Sequence, residues 1–279
     1  IGPHLAPLLL SINFPLIDTG ISSPEKAAIC VIMLIYALAS LINTWIPETG
    51  VIMRPLPRNL LSLVPDFRTC NRRLWDDKLG QISLATTTLF WGVSGNLRYI
   101  VLAWAAAALG YNVTQASSLV GVVAVGTAVG AIWASMRVRL DQAPRVMPLG
   151  IVMGLLVIML IFVRDVWVAA PFLIVLGAIG GYMVVPMNAL LQHRGHNLMG
   201  AGRSIAVQNF NEQACILGIG LLYTLSTKWG MTAFGAITAF GLLVAFSMWL
   251  IMRWHAANLR RYPREVESLL ELARSDKLH

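Results

Sequence analysis

The chain has 279 residues, 57% of them hydrophobic and only 12% charged, with a mean hydropathy of +0.70. A water-soluble domain covers its surface with about 25% charged residues, so this composition excludes a Rossmann sheet, an open β sandwich and a disordered chain. The net charge of +8 does not argue for nucleic acid, because the basic residues fall in alternate loops instead of sharing one solvated face.

Taken in chain order, residues 1–17, with Pro3, Pro7 and Pro15, read as the tail of an earlier helix followed by a loop. The sequence opens Ile1-Gly2-Pro3, without the basic n-region and cleavage site of a signal peptide, and a truncated N-terminus is expected. Seven apolar runs follow, at about 27–46, 83–109, 117–136, 147–163, 167–192, 204–226 and 232–252. Each is about as long as a helix needs to be to cross a hydrocarbon core of about 30 Å. None shows the segments of about ten residues with alternating polarity that mark a barrel strand. The predicted fold class is therefore all-α, a polytopic transmembrane helical bundle. Cys30 and Cys215 lie in apolar runs and Cys70 in a loop, so no disulfide framework is expected.

Basic residues stay on the cytoplasmic side of a membrane, and all but four of the 21 Lys and Arg fall on one side of this arrangement. They occupy the segments around Arg54–Lys78, Arg137–Arg145, Arg194–Arg203 and Arg253–Lys277; the exceptions are Lys26, Arg98, Arg164 and Lys228. This predicts outer loops at 1–26, 110–116, 164–166 and 227–231 and a cytoplasmic C-terminus. The predicted organisation is an outer loop and one span at 1–46, a cytoplasmic linker at 47–82, a six-helix bundle at 83–252 and a basic cytoplasmic tail at 253–279. Prolines at 47, 55, 57 and 65 keep the linker from being one continuous helix. One span before the linker and six after it suit the second half of a transporter built from paired six-helix repeats, with substrate held between the halves. In the tail, Val266, Leu269, Leu270 and Leu272 share roughly one side, which predicts a short interfacial helix.

Two residues stand out inside the apolar runs. Arg98 lies well within the second run, where a guanidinium costs from about 2.5 to more than about 10 kcal/mol unless it faces a cavity or a partner. Glu212 sits in Gln208-Asn209-Phe210-Asn211-Glu212-Gln213, where five of six positions are polar. At about 100° per residue these side chains cover too much of the helix for it to face lipid. The run must line a wet path or bury its polar face against polar neighbours, amide hydrogen bonding between helices being the structural alternative. The candidate substrate path comprises Arg98, Glu212, Asn96, Gln208, Asn209 and Asn188.

Glycines spaced four apart, Gly126 with Gly130, Gly150 with Gly154 and Gly177 with Gly181, predict close helix packing. Gly180 and Gly181 followed by Pro186 give their helix a place to bend or pack. His193 and His196 have no third ligand in the pattern, so no metal or other cofactor is expected. Asn112-Val113-Thr114 is a formal glycosylation acceptor, and Gly200-Ala201-Gly202-Arg203 reads as a turn. There is no nucleophile elbow, Walker loop or Cys-x-x-Cys pair, and nothing supports an enzyme.

Three stretches carry a resemblance: Thr88-Leu89-Phe90-Trp91-Gly92 leading to Leu97-Arg98-Tyr99, Gly180 through Pro186-Met187-Asn188-Ala189-Leu190-Leu191-Gln192 to Gly195, and Gly200-Ala201-Gly202-Arg203-Ser204 through Gln208-Asn209. They resemble the bacterial lysophospholipid transporter family of the major facilitator superfamily over about residues 83–252, most strongly at 177–213. The resemblance implies the second half of a carrier, with the last helix of the first half. It implies movement of lysophosphatidylethanolamine and related single-chain lipids from the outer to the inner leaflet of the bacterial inner membrane. It also implies reacylation there by a cytoplasmic acyltransferase and acyl-carrier-protein synthetase system, with membrane lipids as surroundings and no nucleic acid partner. The family's charged intramembrane positions map onto Arg98 and Glu212. His193, Asn211 and the long basic tail depart from the family pattern. A proton-coupled small-molecule or drug exporter of the same superfamily is the second expectation; a seven-helix receptor and a membrane scaffold fit less well.

Overall fold

The computed structural model describes residues 24–45 and 62–275. The expected helix tail at 1–17 and the linker prolines 47, 55 and 57 lie outside them. The chain divides into two compact units, 1–58 and 59–279. In the first, helix α1 (Pro24–Asn43) has 20 residues, about 30 Å at 1.5 Å per residue, and occupies the first expected span.

The second unit is a succession of helices: α2 (Leu63–Asp76), α3 (Gly80–Leu109), α4 (Val113–Arg137), α5 (Pro148–Met159), α6 (Val166–Met199), α7 (Ala201–Lys228), α8 (Ala233–Arg261) and α9 (Pro263–Ser275). Short 3-10 turns at Leu140–Val146 and Leu160–Phe162 flank α5. The described residues contain no strand, so the all-α class holds. Local chemistry sets the ends. Gly110, at a φ of 66°, closes α3 in the left-handed conformation that a residue without Cβ adopts most easily. Asn112 opens α4 with a reciprocal capping box, accepting from the Gln115 N–H while Gln115 accepts from the Asn112 N–H. Asp165 caps α6 and Thr232 caps α8 in the same sense.

The boundaries differ from the sequence reading in three places, one being α8, which runs on to Arg261 through residues expected in the tail. The expected loop around 193–203 shrinks to Gly200, the one residue between α6 and α7, whose φ of 83° turns the chain. The apolar period simply continues: Met187, Leu190, Leu191 and Arg194 form one buried stripe that carries α6 on to Met199. Within the stretch read as a linker, α2 buries Cys70 and Leu74, which cluster with Leu84, Leu191 and Val207 of α3, α6 and α7. Pro65 is tolerated because it falls in the first turn of α2, where its missing N–H would have no helical partner.

Glycine spacing decides which helices touch. A Cβ at Gly126 or Gly130 of α4 would meet the backbone oxygen of Ile174 or Ala178 on α6. Reciprocally, one at Gly177 or Gly181 would meet the backbone oxygen of Val123 or Thr127 on α4. This is the small-residue crossing that lets two membrane helices approach at backbone distance. The same device joins α5 to α8, where a Cβ on Gly154 would lie 2.6 Å from the Ala245 nitrogen and 2.7 Å from the Gly241 oxygen. Both Gly180-Gly181 and Pro186 lie inside α6, which runs through them without a break.

Four segments are long and apolar enough to cross a membrane by length and composition: Val113–Arg137, Leu140–Phe162, Val166–Met199 and Ala233–Arg261. Helices α3 and α7, with 30 and 28 residues, have the length. What sets them apart is a run of polar side chains on each, and these two helices pack on each other. In α9, Val266 and Ala273 are buried and Leu269 and Leu270 pack on the main core, whereas Leu272 is 43% exposed. Arg274 Nη2 reaches Asp141 at 3.2 Å, tethering α9 to the turn before α5.

Candidate functional site

Arg98 is exposed in this unit. Its Nη2 donates to the Tyr99 hydroxyl at 2.8 Å, and its guanidinium lies 4.7 Å from the centre of the Tyr99 ring. It lines a half-open cavity of about 310 Å³ between α3, α4 and α6, to which α5 contributes Met153. On α6 the cavity wall is Gly177, Gly180 and Val184. These residues are spaced to lie on one helix face, and the next position along that face is Asn188.

Asn188 begins a polar network. Gln208 of α7 donates through Nε2 to Asn188 Oδ1 at 2.7 Å and to Glu212 Oε1 at 2.8 Å. Gln208 and Glu212 are each 7% exposed. The structure thus brings together three of the six expected path residues, Asn188, Gln208 and Glu212, and places Arg98 at the cavity beside them. Asn209 is exposed on another side of α7. Asn96 is buried and its amide is spent within the fold, Nδ2 donating to the Gly92 oxygen at 2.8 Å and to the Ile216 oxygen at 3.0 Å. It fastens α3 to α7, the interhelical role that amides commonly take in membranes.

That fastening also sets the distance between the two charges. Helices α3 and α7 run in the same direction there, since Gly92 faces Cys215 and Asn96 faces Gly220. Glu212 lies four residues before Ile216, and Arg98 two beyond Asn96. Counted from Ile216 or from Gly220 the offset is six to ten residues, so the two backbone positions lie roughly 9–15 Å apart along the bundle.

Sequence reasoning missed a second charged pair. Arg194, read as a loop cation, and Asp77 form a bidentate bridge, Nε to Oδ1 at 3.2 Å and Nη2 to Oδ2 at 2.5 Å, with side chains 5% and 8% exposed. Asp77 Oδ1 also accepts from the Gly80 N–H at 2.6 Å, so the carboxylate caps the start of α3. The signals were present: Asp77 stands three residues before Gly80, and Arg194 continues a buried period. Nearby, Asn211 Nδ2 donates to Asn71 Oδ1 at 2.9 Å, tying α7 to α2.

The sequence is similar to proteins named lysophospholipid transporter LplT. It is 35% identical over 205 residues to that of Photorhabdus laumondii subsp. laumondii, covering 73% of this chain and 52% of the relative. To that of Yersinia pestis strain Pestoides F it is 37% identical over 205 residues, covering 73% and 50%. The protein of Yersinia pseudotuberculosis serotype O:3 gives the same figures. The chain spans about half the length of the curated relatives it matches. No family model matches, and no solved structure matches. With these transporter relatives and its long apolar helices, the chain is that of a multi-pass membrane protein.

Proposed function

The chain is a relative of the lysophospholipid transporters, and on that premise we propose that it belongs to a carrier moving lysophosphatidylethanolamine and similar single-chain lipids between membrane leaflets. The direction is from the outer to the inner leaflet of a bacterial inner membrane, and the C-terminus is cytoplasmic. The carrier makes and breaks no covalent bond; it delivers lipid to a cytoplasmic acyltransferase and acyl-carrier-protein synthetase for reacylation.

One observation carries the reading: a cationic side chain lines an apolar cavity whose α6 wall ends at Val184, one turn before Asn188 and the polar network that holds a buried carboxyl. A zwitterionic head cannot enter hydrocarbon cheaply. Arg98 presents the guanidinium fork suited to its phosphate, and Glu212 offers a carboxyl to its ammonium at another stage of passage, the two groups of one head lying too close together to reach both residues at once. Asn188 and Gln208 hold the carboxyl in place for it. Gly180, Gly181 and Pro186 provide the compliance that α6 needs when the cavity changes sides.

Uptake of labelled lysophosphatidylethanolamine in cells lacking their own carrier tests this, with Arg98→Ala and Glu212→Gln beside the wild type. Both variants, inserted at wild-type level, lose uptake by about tenfold or more, equivalent to about 1.4 kcal/mol of transport barrier. Full-rate transport by both would overturn the assignment of these residues. A second reading rests on the single amide donor that Glu212 has: a carboxyl so placed can exchange a proton, as in a proton-coupled exporter. It predicts transport that stops when the pH gradient is removed.

A further inference from the structure

Helix α8 has 29 residues, about 43 Å at about 1.5 Å per residue, which matches a bilayer with its headgroup layers, about 40–45 Å thick. About twenty residues fill the hydrocarbon core, so counted from Ala233 the apolar part ends near Met252 and the last turns stand among the headgroups. Aromatic side chains mark the same level: Trp249, Trp254 and Tyr262 are all exposed there. Beyond them Arg253, Ala256, Ala257 and Arg260 recur at the spacing of one helix face, and with Arg261 they line a half-open recess of about 330 Å³. The two alanines form its floor and the arginines stand around it. Arg253 is set against the Trp249 ring, its guanidinium 5.4 Å from the ring centre. Among the described residues no carboxylate pairs with any of these three arginines, although ion pairs form elsewhere at Arg72, Arg139, Arg194, Arg203 and Arg274.

We propose that this recess binds the headgroup phosphate of an anionic two-chain phospholipid in the leaflet where α8 ends, the inner one in the proposed topology. Three unneutralised guanidiniums around one recess offer forked N–H donors to the oxygens of a phosphodiester. A zwitterionic head would bring its own ammonium against three like charges, so the site selects a head with net negative charge. The alanine floor lets the phosphate enter between the arginines instead of resting outside them. The approach to the recess identifies the occupant as a lipid and not a soluble anion. On the same face of α8, Leu242, Phe246 and Trp249 are exposed, with the Phe246 and Trp249 rings stacked 5.7 Å apart. An acyl chain lies along this stripe while its head sits at the arginines. Trp254, next to Arg253, stacks on Trp75 of α2 at 6.1 Å, so a lipid held here also steadies the end of α8 where it meets α2. The site lies apart from the cavity beside Arg98 and shares no residue with it.

The test is lipid binding to the detergent-purified full-length protein, read as the rise in melting temperature with the concentration of short-chain phosphatidylglycerol, beside short-chain phosphatidylcholine and inorganic phosphate. A saturable rise is expected with phosphatidylglycerol and none with the other two at the same concentrations. Arg260→Gln is expected to weaken the response by about fivefold in concentration. Ala256→Leu, at an exposed position, fills the floor while keeping every charge, and is expected to weaken it at least as much. Arg264→Gln removes one exposed charge from α9, outside the recess, and retains the wild-type response. Equal rises with phosphatidylcholine or with free phosphate would overturn the headgroup site. So would a loss from Arg264→Gln as large as that from Arg260→Gln, which would mean diffuse charge, or a wild-type response in Ala256→Leu. Capture of an acidic acyl carrier protein that Arg260→Gln abolishes, with no response to phosphatidylglycerol, would give the arginines to a protein partner and overturn the lipid site as well.

Discussion

Some polar residues in this chain hold the fold together, and others are those we propose for a substrate path. Asp77 and Arg194 belong to the first group: a bidentate bridge, nearly out of water, in which the aspartate also caps α3. Removing one partner strands the other, and such loss typically costs about 3–5 kcal/mol. Arg194→Ala should therefore sharply lower the melting temperature of the detergent-purified protein. The double substitution Asp77→Asn with Arg194→Met, which leaves no lone charge, should recover a large part of it; equal damage from the two would deny the pair its structural role. Arg98 and Glu212, proposed for that path, stand out in the sequence because a charge inside an apolar run has few explanations. The sequence could not separate Asn96 from Asn188. Both are amides on long apolar helices, and only the three-dimensional arrangement spends one on the Ile216 carbonyl and directs the other toward Gln208.

Between elements, helix contacts are set by where side chains are missing. The four-residue glycine spacing was plain in the sequence, but the identity of each partner helix was not, since spacing marks a close approach without saying to what. The crossing of α4 with α6 depends on Gly126, Gly130, Gly177 and Gly181, each opposed by a backbone oxygen that cannot yield. Gly130→Ala or Gly181→Ala should cost about 1–3 kcal/mol, lowering the melting temperature by about 2–12 °C. Gly218→Ala is the comparison, because nothing lies within 4 Å of a Cβ there, and it should leave the melting temperature unchanged or raise it slightly, alanine being the better helix former. Equal losses at Gly218 and Gly181 would show that the damage does not come from the packing of α4 on α6, since alanine is the better helix former. The ends of elements were less legible. Buried periodicity carries α6 on to Met199, through residues read as a loop because their charges suggested one. Likewise α2, inside the proline-marked stretch, could not be distinguished from a linker until its buried face met α3, α6 and α7.

Over the whole molecule, composition alone was enough for the class: with so few charged residues, the helices must find a solvent other than water. The two helices whose composition departs most from a plain apolar span, α3 and α7, carry Arg98 and Glu212 and pack together. Polar content that weakens them as lipid-facing spans is what the proposed path requires of them. The relatives, whose length this chain half spans, bear the name of a lysophospholipid transporter, and the arrangement of cavity, cation and polar network suits such a cargo. The measurement that tests this most directly is translocation of labelled lysophosphatidylethanolamine into proteoliposomes holding the full-length protein, with and without an imposed pH gradient. The account predicts saturable translocation in both conditions and its loss with Arg98→Ala. No lysolipid movement by a well-inserted protein, beside pH-driven movement of another solute that Glu212→Gln abolishes, would contradict it in favour of the exporter.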